Sequence, residues 1–360
     1  MKVLIACGGT GGHIFPALRL AEELQLRNKF IDIILVVGSS TLEKRIIPKE
    51  YKIIRLDASP IKLVSFSEFI ISIFKLFKTL IKSLIILLRF RPNIIVGFGG
   101  YASFFLVLFG WFLKIKTIIH EENVLMGRAN RILALFVNSI SLGFIQTREI
   151  FSLYKDKMVI TGNPLRKDLK IIDRKEALGY FDFPSDCFTI LVMGGSQGSY
   201  RINMEFLKAI HLLKDKFIFQ IIHLSGERDY EFLKKQYNNM NIKVVLFKFL
   251  DKIHYALSIA DLAVCRAGAM TISELIFFGL PAIIIPYPYA YQHQSYNAKI
   301  LESNGCALLI EEEELNFKRL AESVLELVEN PSRLKDMRYN YNRLNKTTSI
   351  ALWDIVLSSN

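Results

Sequence analysis

Lys2-Val-Leu-Ile-Ala-Cys7 runs into Gly8-Gly9-Thr10-Gly11-Gly12, and Phe188-Thr-Ile-Leu-Val-Met193 runs into Gly194-Gly195-Ser196-Gln197-Gly198. Each is an apolar strand-like run that ends in a glycine-rich turn and is followed by a helical pattern. Glycines in such a turn allow positive φ and let backbone N–H groups approach a phosphate, while the dipole of the following helix favours an anion. Neither turn has G-x-G-x-x-G spacing, and one such turn alone is weak evidence. Two at equivalent places in two halves of a chain predict an internal duplication: tandem Rossmann-like domains with ligands between them.

Around these two anchors, strand-like runs alternate with helical patterns at 3–7, 31–37, 53–56, 94–96, 117–119, 139–142 and 159–161. The series restarts at 189–193, 219–224, 243–247, 262–265, 282–285 and 307–310. Short apolar strands separated by helices indicate α/β architecture with parallel sheets covered on both faces. A boundary is expected near Gly162-Asn163-Pro164, because the residue before proline is held extended. That gives domains 1–163 and 164–339. The polar helical segment after Pro331 can pack on either, with 340–360 an optional part of the first.

The 360 residues are 51% hydrophobic and 22% charged, too apolar for a disordered chain and long enough for two domains. A net charge of +12 predicts an anionic partner: nucleic acid, anionic lipid or a phosphorylated substrate. Residues 1–163 hold 22 Lys and Arg against 11 Asp and Glu, whereas residues 164–360 hold 24 against 23. The surplus is therefore in the first half, interleaved with Phe, Ile and Leu, which points to a membrane surface and not to nucleic acid. Cys7, Cys187, Cys265 and Cys306 are too dispersed for a disulfide framework or a zinc site. The first three lie in or beside strand-like runs and are expected as reduced core residues. The opening MKVLIACGG lacks a secretory h-region, which predicts a cytoplasmic protein.

Residues 93–113 carry no charge and meet the length of a spanning helix. Ile94-Ile95-Val96 reads as a buried strand, however, and Gly97-Phe98-Gly99-Gly100 would break a helix, so no span is expected. In residues 69–91, Lys75, Lys78, Lys82 and Arg89 share one helical face, and Phe74, Phe77, Ile81, Leu84 and Leu88 follow the same spacing on the opposite side. Two readings stay open. One is an ordinary amphipathic helix packed on a sheet. The other is a helix whose basic stripe, bordered by Ile71, Ile85 and Ile86, lies against anionic headgroups.

Chemistry-bearing residues cluster where strands end. His13 follows the first glycine loop, where an imidazole can act as a general base or donate to a charged oxygen. His120-Glu121-Glu122-Asn123 follows the run 117–119; Val124 breaks the H-E-x-x-H pattern of zinc proteases, and the carboxylates and amide suit sugar hydroxyls. Arg166 is a cation after Gly162-Asn-Pro-Leu. In Cys265-Arg-Ala-Gly-Ala-Met-Thr-Ile-Ser-Glu274, small residues permit backbone contact, and Glu274 suits a ribose diol. A capping box from Thr271 to Glu274 fits the same spacing. The amides and aromatics of 286–298 resemble a sugar- or base-binding loop.

Taken together, GGTGGHIFPA (8–17), GFGGYAS (97–103), HEEN (120–123), GNPLR (162–166), GGSQGS (194–199), CRAGAMTISE (265–274) and HQSYNA (293–298) resemble the MurG family of N-acetylglucosaminyltransferases. The motifs stand in the family's order. The resemblance implies a GT-B fold, two Rossmann-like parallel-sheet domains facing a central cleft, with the donor UDP-N-acetylglucosamine (UDP-GlcNAc) held mainly by the second. It implies an acceptor, undecaprenyl-pyrophosphoryl-MurNAc-pentapeptide (lipid I), met peripherally at the cytoplasmic side of the inner membrane. The product is lipid II, with a new β-1,4 bond formed by inversion. Carried onto this sequence, Ser196 and Arg166 hold the donor's phosphates or nearby groups. The run Ala269, Met270, Thr271, Ile272 and Ser273 lines the diphosphate and ribose, Glu274 takes the ribose hydroxyls, Leu250 packs on uracil and Gln294 contacts GlcNAc. Thr10, Gly11, Gly12 and Asn123 line the acceptor side, with His13 as candidate base and Glu121 as the alternative. Gly99, Gly100 and Tyr101 approach the acceptor pyrophosphate.

This sequence departs from the family's usual glutamine at Glu122 and its frequent isoleucine at Leu250. The chain has no D-x-D triplet, in keeping with a leaving diphosphate stabilised by a helix N-terminus and Arg166 with neither metal nor cofactor. Two rivals are a diacylglycerol glycosyltransferase of the same fold and a non-catalytic nucleotide-sugar binder. A nicotinamide oxidoreductase is disfavoured because Val36-Val37-Gly38 stands where an acidic residue would be needed.

Overall fold

A computed structural model of the chain describes residues 1–8, 11–38, 47–56, 66–289, 292–344 and 350–358. The chain divides into two compact units, Met1–Arg166 with Thr347–Asn360, and Lys167–Lys346.

The first unit is built on a parallel sheet of β1 (Lys2–Ala6), β2 (Asp32–Val37), β3 (Lys52–Arg55), β4 (Ile94–Gly97), β5 (Lys116–Glu121), β6 (Ser139–Leu142) and β7 (Met158–Ile160). Its spatial order is β3-β2-β1-β4-β5-β6-β7. Alternate residues of β1 enter opposite layers, as the two-residue period of a strand requires. Val3 and Ile5 pack with Ile14, Leu20 and Leu24 of the helix Gly11–Arg27, and Leu4 and Ala6 pack with Ile86, Leu87 and Leu106 from the other face. The C-terminal helix Leu352–Leu357 joins the first layer through Leu352 and Val356, and Arg19 and Arg27 lie 5.6 and 5.5 Å over the Trp353 ring.

The second unit repeats the plan with β8 (Phe188–Met193), β9 (Phe219–Leu224), β10 (Lys243–Phe247), β11 (Leu262–Cys265), β12 (Ala282–Ile284) and β13 (Ala307–Leu309), in the order β10-β9-β8-β11-β12-β13. Ile190 and Val192 pack with Phe206, Ile210 and Leu213 of the helix Tyr200–Leu213 and with Leu320, Val324 and Leu327 of the helix Phe317–Val328. That last helix starts where Asn316 accepts from the N–H groups of Lys318 and Arg319, a side-chain cap.

All thirteen strand-like runs form strands, and in each sheet the order reverses once: beside β1 and β4 in the first unit, and beside β8 and β11 in the second. Open α/β sheets bind ligands at the C-terminal strand ends next to such a reversal. The loops leaving β1 and β4, and those leaving β8 and β11, are the glycine- and polar-rich segments singled out above.

Some expectations need revision. β5 runs through His120 and Glu121, so these two are strand residues and not the loop after it. Cys7 and Cys265 are core residues, but Cys187 is only half-buried. Residues 93–113 hold β4, a glycine break and the helix Tyr101–Phe112; among the described residues no helix is long and apolar enough to cross a membrane.

The helix Phe66–Phe90 departs from its sequence reading most. Its buried face is Thr79, Ser83, Ile86, Leu87 and Phe90, whereas Phe74, Phe77, Ile81, Leu84, Ile85 and Leu88 are all exposed. At 3.6 residues per turn the apolar ridge points away from the packed face. The lysine stripe lies beside that ridge, not opposite it, and Phe74, Lys75, Phe77, Lys78, Ile81 and Lys82 line one shallow surface hollow. The helix does pack on the sheet, as the ordinary amphipathic alternative has it, but through Ile86, Leu87 and Phe90 beside two small hydroxyl residues, so Ile86 is no part of an exposed border to the lysine stripe. Thr79 donates to Lys75 O and Ser83 to Thr79 O, which satisfies those buried hydroxyls within the helix.

Candidate active site

In the first unit the site grows from close backbone approach at the order reversal. Gly99 and Gly100 have φ of +79° and +80°, the region that favours glycine. A Cβ on Gly100 would stand 2.8 Å from Gly8 Cα, so only glycine lets the β4 loop rest on the β1 loop. His13, the third residue of its helix, places its ring in the resulting slot. A Cβ on Gly8 would be 3.1 Å from its Cδ2 and one on Gly99 3.4 Å from its Cε1. The ring is about one-quarter exposed (27%), and its Nδ1 lies 3.1 Å from Glu122 Oε2.

Burial disfavours charge on His13, but the nearby Glu122 and Glu121 carboxylates outweigh that and hold the imidazole above its ordinary value of 6.5. Burial likewise pushes the Glu122 carboxyl upward, against the pull of His13 and with the help of Glu121. The two groups therefore titrate as a pair.

Glu121 is held differently. Its Oε1 accepts from the backbone N–H (3.0 Å) and side-chain amide (3.3 Å) of Asn123, and its Oε2 from Gly127 N–H (2.9 Å) and Asn130 Nδ2 (2.8 Å). With four donors on its two oxygens, Glu121 braces the loop after β5.

His120 is buried. Its Nε2 faces Asn163 Oδ1 at 3.1 Å and its Nδ1 faces Ser141 Oγ at 2.7 Å. Burial brings it down to about 4 despite the Asn163 hydrogen bond, so it is neutral at physiological pH. Because the amide oxygen can only accept, Nε2 carries the hydrogen and Ser141 donates to Nδ1. Asn163 in turn donates from Nδ2 to Glu122 O at 3.1 Å. Tyr101 is 52% exposed at the start of its helix, Asn123 is half-buried, and Arg166 lies with its guanidinium 5.1 Å over the Phe15 ring. Gly11 and Gly12 open the His13 helix; Thr10 lies outside the described residues.

In the second unit the loop 194–199 leaves β8 with Gly195, Ser196 and Gln197 exposed. Gly198 and Gly226 both have positive φ, and a Cβ on either would overlap the other loop's carbonyl. After β11, the helix Ala269–Phe278 takes Gly268 as its N-cap. Thr271 is thus the third helical residue, and no Thr271–Glu274 capping box forms. Met270, Thr271, Ser273 and Glu274 are half-buried along this helix start. Ile272 is fully buried and its N–H donates to Gly268 O, so it belongs to the core and not to a ligand-binding surface. Leu250 is 5% exposed, which leaves its backbone as the part a base could meet.

Arg266 ties these loops together. Buried, it donates from Nη1 to Ile285 O (3.1 Å), Pro286 O (3.3 Å) and Glu312 Oε2, and from Nη2 to Ser199 Oγ (2.8 Å) and Glu312 Oε1 (3.2 Å). Gln294 Oε1 accepts from Ala267 N–H (3.1 Å) and Tyr287 N–H (2.9 Å), and Asn297 Nδ2 donates to Ala267 O (3.1 Å). The sequence singled out the 120–123 carboxylates for sugar hydroxyls but not Glu122 as the partner of His13, and it gave no role to Glu312, the partner of Arg266. Glu312 sits in Glu311-Glu-Glu-Glu314, a run that reads as a solvated surface. Among the described residues, no group of three or more His, Cys, Asp or Glu side chains is placed to hold a metal ion.

Residues 3–142 match the glycosyltransferase family 28 N-terminal domain and residues 189–351 the family 28 C-terminal domain. The chain is 38% identical over 340 residues to the UDP-N-acetylglucosamine–N-acetylmuramyl-(pentapeptide) pyrophosphoryl-undecaprenol N-acetylglucosamine transferase of Thermodesulfovibrio yellowstonii, covering 94% of this chain and 92% of that one. It is 36% identical over 356 residues to the same-named protein of Halothermothrix orenii, covering 96% and 95%. In fold it is similar to Acinetobacter baumannii MurG, with a TM-score of 0.76 at 23% identity over 99% of this chain and 98% of that one. It is also similar to a Neisseria meningitidis UDP-GlcNAc 2-epimerase bound to UDP-GlcNAc, with a TM-score of 0.70 at 17% identity over 99% and 98%.

Proposed function

The chain belongs to the family of UDP-N-acetylglucosamine–N-acetylmuramyl-(pentapeptide) pyrophosphoryl-undecaprenol N-acetylglucosamine transferases, and from that premise we propose how its residues share the work. It is a UDP-GlcNAc-dependent N-acetylglucosaminyltransferase that acts on lipid I to give lipid II. The observation that carries the chemical assignment is the pairing of His13 with Glu122 in the glycine slot at the C-terminal ends of β1 and β4.

The MurNAc 4-hydroxyl gives its proton to His13 Nε2, the ring nitrogen turned away from Glu122, as the hydroxyl oxygen attacks C1 of GlcNAc. The C1–O bond to UDP breaks on the opposite face, its electrons pass to the diphosphate oxygen, and the anomeric configuration inverts. The departing charge is met by the N-terminal ends of the helices Tyr200–Leu213 and Ala269–Phe278, by Ser196 and by Arg166. Glu274 accepts from the ribose hydroxyls, Ala269, Met270, Thr271 and Ser273 line the diphosphate and ribose, and the backbone at Leu250 meets uracil. The amide nitrogen of Gln294, opposite the braced carbonyl, is offered to GlcNAc. Thr10, Gly11, Gly12 and Asn123 border the acceptor sugar, and Gly99, Gly100 and Tyr101 its pyrophosphate.

The exposed ridge of Phe74, Phe77, Ile81 and Leu88, flanked by Lys75, Lys78 and Lys82, would lie in the headgroup region of an anionic bilayer. Such a ridge supports a peripheral position of the first unit, where the acceptor's lipid is, on the cytoplasmic side of the inner membrane.

The test is turnover of UDP-GlcNAc with a lipid I analogue, followed by UDP release and formation of a disaccharide lipid without added divalent metal. Turnover on diacylglycerol in place of lipid I would sink the acceptor assignment. Tight UDP-GlcNAc binding with no transfer to either acceptor would favour a binder. His13→Ala should cut turnover about a hundredfold or more with donor affinity retained.

A further inference from the structure

We propose that Glu122 is the positioning residue for His13, a carboxylate that orients the imidazole and stabilises it as it takes up the acceptor's proton. This deepens the transferase assignment and rests on it.

Three observations converge. The first is contact: Nδ1 of His13 stands 3.1 Å from Glu122 Oε2, and Glu122 is 4% exposed. With Glu122 ionised, a carboxylate 3.1 Å from Nδ1 favours the tautomer that carries its hydrogen there, which leaves the lone pair of neutral His13 on Nε2. The second is that Glu122 is held from both sides. On one side Asn163 Nδ2 donates to its backbone carbonyl, and Asn163 is aligned by His120, which Ser141 fixes through Nδ1. On the other side Glu121 gathers four donors from Asn123, Gly127 and Asn130, immobilising the chain just beyond. These contacts fix the backbone that carries Glu122, so its carboxylate projects from a held point beside His13. The third is the slot: the glycine backbones of Gly8 and Gly99 confine the ring without supplying a charge.

The charged and titratable groups facing His13 are therefore Glu122, Glu121 and His120. His120 stays neutral, and the carboxyl oxygens of Glu121 are committed to the loop. Glu122 is the group whose charge tracks that of the imidazole. When Nε2 accepts the proton, a buried imidazolium forms beside a buried carboxylate, and neither is left uncompensated. The electrostatics point the same way: the charge of Glu122, helped by Glu121, overcomes the burial that would otherwise depress the imidazole.

The discriminating variant is Glu122→Gln, which keeps size and an acceptor oxygen and removes only the charge. Glu122→Asp is the charge-retaining companion. In the wild type, turnover rises with pH as His13 becomes neutral. In Glu122→Gln that acid limb should move down by about 1–3 pH units, the His13 ring resonances in an NMR titration should move with it, and kcat should fall roughly tenfold or more. KM for UDP-GlcNAc should stay within about twofold. Glu122→Asp should keep the acid limb within about half a pH unit of wild type, and does so even if the glutamine variant folds poorly. An unshifted acid limb and unshifted His13 titration in Glu122→Gln overturn the proposal. A limb lowered as far by aspartate as by glutamine overturns it too. If the wild type fails to turn over lipid I, the transferase assignment fails by itself, while the His13 titration still decides the pair.

Discussion

Replacing Glu312 by alanine tests the brace beneath the second unit's loops. The Arg266 side chain is 8% exposed and that of Glu312 12%. Without the carboxylate, the guanidinium keeps only the neutral acceptors Ile285 O, Pro286 O and Ser199 Oγ among those described above. Breaking a buried ion pair from one side costs about 3–5 kcal/mol. Glu312 lies near the surface, so water reaches the vacated place and the lower figure, about 3 kcal/mol, is expected. In a unit of about 180 residues, each kcal/mol moves Tm by about 2–4 °C, so its calorimetric transition should fall by about 6–12 °C. The same change loosens Ser199 and the 285–287 segment, and UDP affinity should drop about tenfold, equivalent to about 1.4 kcal/mol. Substituting both partners with methionine should recover most of the Tm, since an apolar pair of similar volume replaces a buried ion pair at little cost. It should not recover UDP affinity, because the loops still lack the guanidinium's hydrogen bonds. A Glu312→Ala protein that melts within about 2 °C of wild type and binds UDP normally would refute the brace.

Gly100→Ala combines a positive φ with a Cβ 2.8 Å from Gly8 Cα; it should destabilise by about 2–4 kcal/mol and slow turnover more than it weakens UDP binding, as urea unfolding and initial rates would show. Burial holds His120 down to about 4 and His223 down to about 3. Their neutral folded forms lose nothing above pH 6.5, where the unfolded imidazoles are neutral too. Below 6.5 the unfolded state binds the extra protons and stability falls until each folded value is reached, by about 1.4 kcal/mol per pH unit for each histidine. The unfolding free energy should thus drop by about 3 kcal/mol between pH 6.5 and 5, and a flat urea-midpoint profile there would contradict it. Glu274→Ala should raise KM for UDP-GlcNAc about tenfold while kcat changes little; a kcat-only effect would remove it from the ribose. Phe77→Ser with Ile81→Ser should weaken co-sedimentation with anionic vesicles and leave turnover of a short-chain, detergent-soluble lipid I analogue intact.

The glycine loops, the thirteen strands and their α/β class were legible in the sequence because each depends on local pattern. Four to six apolar residues in a row, punctuated by glycine, have few other ways to satisfy their backbone in a core. His13, Arg166 and the 265–274 segment were legible as chemistry because they stand at strand ends, a consequence of the same pattern. What side chains do with one another was decided only by the tertiary structure. Glu122 finds His13 across more than a hundred residues, and Glu312 leaves a run of four glutamates to pair with Arg266. The 265–274 segment offered a capping box with good spacing, yet the helix Ala269–Phe278 takes Gly268 as its N-cap, three residues before Thr271. In Phe66–Phe90 the periodicity identified a two-sided helix but could not say which side is inside. Its neighbours at the sheet admit a narrow face with Thr79 and Ser83, and leave the aromatic ridge and its lysines to the outside. Local sequence sets which conformations are cheap, whereas burial and pairing are properties of surfaces that meet only after the chain has folded.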